Sequence, residues 1–108
     1  MTNYLLIESR DGFDARDGGF ACELAGALAR HGDQVALFAV QNGVLNLRVG
    51  ALPAAFAALL HAGVSVMADS FSLRERGLTP DQLAAGVVPG ELDTVIDRLA
   101  DGWRVIWH

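Results

Sequence analysis

Cysteine is nearly absent from this chain of 108 residues: there is one, Cys22. A lone cysteine forms no internal disulfide, and no Cys/His cluster has zinc-finger spacing. Neither a disulfide scaffold nor a metal site is therefore expected, and the composition suits a reducing compartment. Basic residues are scarce as well. Eight Lys+Arg against 13 Asp+Glu give a formal net charge of −5, and the pI is about 4.9. The eight are scattered rather than gathered into a basic patch, which argues against nucleic acid as a partner. Long apolar runs are missing too. Tyr4 to Ile7 spans only four residues and has no basic segment before it. It reads as neither a signal peptide nor a membrane span, so a cytoplasmic protein with no membrane association is expected. Internal repeats, low-complexity tracts and linkers are absent.

What is present is apolar material. Hydrophobic residues make up 52% of the chain, and the mean hydropathy is +0.31. That suffices for one core, and the length fits one domain over residues 1–108. It also exceeds what a small monomer easily hides, which points to a subunit interface.

The apolar residues fall into alternating patterns. Tyr4 to Ile7 reads as a buried strand, and Ser9 to Gly19 as a polar loop. Phe20 to Arg30 carries Phe20, Leu24, Ala27 and Leu28 at helical spacing, with Gly32 as the stop. Val35 to Val40 is a second strand, closed by Gln41-Asn42-Gly43. Leu52 to His61 is a helix with Leu52, Phe56, Leu59 and Leu60 on one face. Val64 to Ala68 is a third strand, and Ser70 to Arg76 a helical turn or two. Thr79-Pro80-Asp81-Gln82 has the form of a capped helix start, with Gly86 at its end. Leu92, Val95, Ile96 and Leu99 mark a last amphipathic helix, and Trp103 to Trp107 a final strand. Strands alternating with helices predict an α/β domain with a mainly parallel sheet and helices on both faces.

Few residues carry chemistry. The loop from Asp11 to Gly19 stands where a nucleotide-binding fold places its phosphate cradle. It matches neither G-x-G-x-x-G nor G-K-[ST], and its aspartates would repel phosphate, so no cofactor is expected. Cys22 falls in the first turn of a helix, where a thiol gains some activation, but Glu23 is adjacent and small apolar residues surround it. A buried core residue is the expectation. His31 and His61 sit at helix ends and His108 at the end of the chain, with no spacing that forms a triad or metal site. Asp69 and Ser70 follow a strand and open a short helix. Ligands gather beyond the carboxyl ends of parallel strands, while Asp and Ser are also ordinary helix caps.

The stretch Gly63 to Leu78 reads G-V-x-V, a site residue, then x-x-S-L-x-x-R-G-L. With the first strand, the Asp-rich loop, the helix ending A-L-A-R-H-G, the strand V-A-L-F-A-V before Asn42-Gly43-Val44, and a last strand ending in tryptophan, this order resembles the DsrE/DsrF/TusD-like sulfur-relay family. The resemblance implies a flavodoxin-like α/β domain, assembly into trimers or hexamers, and membership in sulfur metabolism. Many members of that family pass sulfane sulfur as a cysteine persulfide. That cysteine stands eight residues before the glycine of the R-G pair, here Arg76-Gly77, and the register places Asp69 there. The chain would keep the anion at a helix N-terminus and lose the sulfur carrier. Asp69, Ser70 and Arg76 are thus the expected pocket. The expected function is a non-catalytic subunit or binding module, partnered with itself, with paralogous DsrE-like subunits or with a sulfur-carrier protein. Two alternatives stand beside it: a sulfurtransferase using Cys22 in a relocated site, and a small-ligand sensor at the pocket near Asp69. The apolar faces of the two middle helices are the candidate subunit contacts.

Overall fold

Val, Leu, Ile, Ala and Phe dominate the strand runs because the strands are covered on both sides. In β1 (Asn3–Glu8), β2 (Gln34–Ala39) and β3 (Ser65–Asp69) nearly every residue after the first is buried. The structure, a computed structural model, describes residues 2–11, 20–50 and 52–108. The expected phosphate-cradle loop falls mostly at Gly12 to Gly19, outside the described residues. The remaining elements are α1 (Phe20–Arg30), a 3-10 helix (Gln41–Leu47), α2 (Ala54–His61), α3 (Ser70–Glu75), a 3-10 turn (Pro80–Gln82), β4 (Val88–Gly90), α4 (Asp93–Ala100) and β5 (Arg104–Trp107). No helix is long and apolar enough to cross a membrane among the described residues.

The five strands form one sheet in the order β4-β3-β2-β1-β5, and every neighbouring pair is parallel. From β1 to β4 the chain steps in one direction. Right-handed crossovers of that kind place their helices on one face, and the return from β4 to β5 places its helix on the other. The two cores follow this division. Leu6, Val35, Leu37, Val66 and Ala68 meet Ala21, Ala25, Phe56, Leu59 and Leu73 from α1, α2 and α3. Leu5, Ile7, Ala36, Phe38 and Met67 point the opposite way and meet Val95 of α4. Burying each such side chain stabilises the fold by roughly 1.5–3 kcal/mol.

The faces are unequally covered. One carries three helices and the 3-10 helix, the other the eight-residue α4. The apolar stripe of α4 is correspondingly open: Val95 is buried, while Leu92, Ile96 and Leu99 are 58%, 59% and 55% exposed. Val88 pairs with Met67 and Trp107 with Ile7, so both project on the α4 side, and both are exposed. Of the middle helices, Phe56, Leu59 and Leu73 are buried within the chain.

Four local differences from the sequence pattern have physical causes. The segment after β2 is a 3-10 helix, which brings Val44 and Leu47, three apart, into the core together. Its Gly43 is required there, because a Cβ would lie 2.2 Å from the Glu8 carbonyl oxygen. Helix α2 begins at Ala54 rather than Leu52, after Pro53 as its N-cap. The capping box at Thr79 forms, with the Thr79 amide donating to Gln82 Oε1 at 2.8 Å. The helix it opens lasts one turn, because Leu83 and Ala84 are drawn into the core and the Ala84 amide bonds the Leu47 carbonyl at 2.8 Å. Finally, Val88–Gly90 is a fifth strand too short to show periodicity, and its Pro89 is tolerated because β4 lies at the sheet edge.

Candidate functional site

Asp69 ends β3 and caps α3, with extended backbone at φ −62° and ψ 120°. Its Oδ2 accepts from the Ser72 amide at 3.0 Å and from the Ser72 hydroxyl at 2.6 Å. Both residues are buried. Ser72 Oγ in turn accepts from the backbone N–H of Gln41 at 2.8 Å. Gln41 has φ +51°, the one non-glycine residue at positive φ among those described, so the chain is bent unfavourably to deliver that amide.

Arg76 completes the cluster from the far end of α3. Its Nε and Nη2 donate to Asn42 Oδ1 at 3.2 and 3.0 Å, and its Nη1 to the Ser72 carbonyl at 3.2 Å. The structure thus gathers Asp69 and Arg76 around Ser72, tied to the segment that follows β2. Ser70 stands beside them, half-buried. Ser72, Gln41 and Asn42 were not singled out by the sequence pattern. Ser72 lies within the family-like stretch, at the third residue after the cap where a capping amide is expected. Gln41 carries no local signal, and Asn42, though part of the family-like Asn42-Gly43-Val44, carries none that places it at this cluster, because their role depends on β2 and β3 lying side by side. Chemically the arrangement holds an anion in place. The carboxylate that provides it is the protein's own, fixed by two donors.

Cys22 is elsewhere, buried on α1 against the sheet. Burial first, then the negative charges of Glu8 and Glu23, push its thiol up to about 12. A thiol so placed stays protonated at neutral pH and is a poor nucleophile.

A second polar pair lies at the carboxyl ends of β1 and β5. Glu8 is buried, and its Oε2 lies 2.7 Å from His108 Nδ1, while its Oε1 has no hydrogen-bond partner among the described residues. Burial pushes the Glu8 carboxyl above its ordinary value, and the hydrogen bond and charge of His108 pull it partly back. The His108 amide bonds the Ile7 carbonyl at 2.8 Å, and the Ser9 amide the His108 carbonyl at 3.0 Å, so the pair clasps the two strand ends. The Phe20 ring packs against the imidazole, with centroids 5.1 Å apart. Among the described residues, no group of three or more His, Cys, Asp or Glu could hold a metal ion.

A five-stranded parallel sheet with a capped polar junction at the end of β3 defines a flavodoxin-like α/β protein. The chain belongs to the DsrE/DsrF-like family, whose profile matches residues 3–108. The solved YchN protein of E. coli is similar over 100% of both chains, at 18% identity and a TM-score of 0.88. MTH1491 of Methanobacterium thermoautotrophicum, a protein of unknown function, is similar over 99% of this chain and 98% of its own, at 22% identity and a TM-score of 0.73. BT1422 of Bacteroides thetaiotaomicron, also of unknown function, covers 98% of this chain with 94% of its own, at 12% identity and a TM-score of 0.72. These likenesses establish the fold. No functionally curated protein matches the chain.

Proposed function

We propose that this chain is a non-catalytic subunit or binding module of a sulfur-relay system or an allied process, carrying no sulfane sulfur itself. The observation that supports this is the state of Asp69. It occupies the place that the family resemblance assigns to the persulfide cysteine, and its carboxylate is held by the Ser72 amide and hydroxyl as a buried cap. A carboxylate keeps the charge of a thiolate at a helix N-terminus and forms no persulfide.

The rival readings have less support. A sulfur carrier needs an accessible thiolate, and Cys22 is buried with its thiol pushed up to about 12. A ligand at the Asp69 junction would need polar groups to grip it, and Asp69, Ser72 and Arg76 bond one another and the segment after β2. A subunit role also accounts for the open apolar stripe of Leu92, Ile96 and Leu99, since parallel sheets are normally covered on both faces. The partner on that face is a further copy or a paralogous DsrE-like chain.

The test is sulfur loading. Protein incubated with a low-molecular-weight persulfide donor and desalted is assayed for cyanide-labile sulfur. The expected result is none above a bovine albumin control with its thiol blocked. Stoichiometric labile sulfur would overturn the proposal.

A further inference from the structure

Five strands about 4.8 Å apart span roughly 19 Å, and a helix is about 10 Å across. One helix therefore covers about half of such a face. Among the described residues, α4 is the one helix on its side of the sheet, so that side has room for a second.

The open side of α4 shows what kind of helix fits there. Leu92, Ile96 and Leu99, spaced four and then three apart, make one apolar stripe, and each is more than half exposed. Asp93, Asp97 and Asp101 recur every four residues and form a row along its edge. All three are exposed. Among the described residues, none of them forms an ion pair or a side-chain hydrogen bond. Arg98 is the one basic residue of the helix, and its guanidinium lies over the Trp103 ring, 4.6 Å from the centroid. The stripe is thus bordered by negative charge that no described residue neutralises.

This pattern selects an occupant. An apolar stripe at i, i+4, i+7 takes the apolar side of an amphipathic helix. The acidic row requires Lys or Arg along the facing edge of that helix. It also repels phosphate, which sets aside nucleic acid and anionic lipid surfaces. No helix described in this chain has a basic edge: α1 carries Glu23 as well as Arg30, α2 only His61, and α3 Glu75 beside Arg74. A second copy laid α4 on α4 would oppose carboxylate to carboxylate.

We infer that the α4 face docks a cationic amphipathic helix of a different chain. The apolar side of that helix covers Leu92, Ile96 and Leu99, and its basic edge runs along Asp93 and Asp97. The inference rests on the binding-module reading and narrows its partner to a chain with such a helix.

The probe is a synthetic peptide of about 14 residues, roughly four turns of helix, with leucine at i, i+3, i+4 spacing and lysine elsewhere. Its control has glutamate for every lysine. Both are titrated with the full chain at low salt and read by fluorescence anisotropy. The lysine peptide is expected to bind at least about tenfold more tightly. Ile96→Gln and Leu99→Gln remove apolar contact without changing charge, and each is expected to weaken the lysine peptide at least about tenfold. Asp97→Lys/Asp101→Lys puts cations near a helix C-terminus, where the dipole favours them. That variant is expected to bring the two peptides to within about threefold of each other. Circular dichroism confirms that each variant is folded, and amide shifts caused by the lysine peptide are expected on α4. Equal affinity for the two peptides would overturn the inference. So would a lysine preference indifferent to the Gln variants or to the charge reversal, which the net charge of −5 alone would produce. Self-association that buries α4 and excludes the peptide would make a copy the occupant and overturn it as well. The sulfur-loading assay is independent: labile sulfur on the chain would overturn the non-catalytic reading and leave these affinities as they stand.

Discussion

The Ser72 hydroxyl donates to the Asp69 carboxylate at 2.6 Å, and through the backbone amide of Gln41 it ties the start of α3 to the segment after β2. Removing the carboxylate leaves the Ser72 amide and hydroxyl without their acceptor in a buried place. Asp69→Ala is therefore expected to cost about 1–3 kcal/mol in urea unfolding. Asp69→Asn keeps an acceptor oxygen and is expected to cost less. Equal stability of Asp69→Ala and wild type would show that the cap does no structural work.

The thiol of Cys22 gives a kinetic prediction. With its pKa pushed up to about 12, the thiolate fraction at pH 8 is about 10⁻⁴, against roughly a quarter for a free cysteine. Iodoacetamide should therefore modify the native protein at least about a thousandfold more slowly than the protein in guanidinium. Native labelling as fast as in denaturant would place Cys22 on the surface and revive its candidacy as a sulfur carrier.

Glu8 sets a pH dependence whose sign follows from burial. Its folded-state pKa is raised, chiefly by desolvation. Between the unfolded carboxyl value and that raised value the native state binds the extra proton, so this residue's contribution to stability falls as pH rises through the window and then levels off. The measurement is the stability difference between wild type and Glu8→Gln from pH 4 to 8. A difference that instead grows with pH would mean that the His108 contact outweighs the cost of burying the charge.

The open face of α4 predicts an association phenotype. Ile96 is more than half exposed, so Ile96→Asp should change chain stability by no more than about 0.5 kcal/mol. The same change should abolish any assembly that covers the α4 face, read by sedimentation velocity with and without paralogous chains. An unaltered sedimentation profile would remove the stripe from the account.

The sheet and its helices were largely legible in the sequence because they are periodic. The run Phe20 to Arg30 is helix α1 to the residue, and the apolar runs at Leu5, Val35 and Val66 are its central strands. What escaped lacks periodicity or depends on tertiary neighbours. Three residues containing a proline carry no strand signal, and β4 exists because β3 offers an edge. At the site, Asp69 and Arg76 were visible through family register. Gln41 and Asn42 were not, since only the pairing of β2 with β3 brings them to α3. Glu8 was hidden for a similar reason: its partner His108 is 100 residues away, on a strand that pairs with β1 only after the chain returns across the sheet.

On the proposed function, Asp69 holds as a carboxylate the place that the family resemblance assigns to a thiolate. The most direct measurement is the alkylation rate against pH of Asp69→Cys in a Cys22→Ala background. A thiolate there would accept from the Ser72 amide and hydroxyl at the N-terminus of α3, the donors that now hold the carboxylate. Those donors and the helix dipole favour the ionised form, so the apparent pKa should fall below the reference of about 8.5 for a free cysteine. A value at or above that reference would mean that position 69 does not stabilise a sulfur anion, and the equivalence with the persulfide site would be wrong.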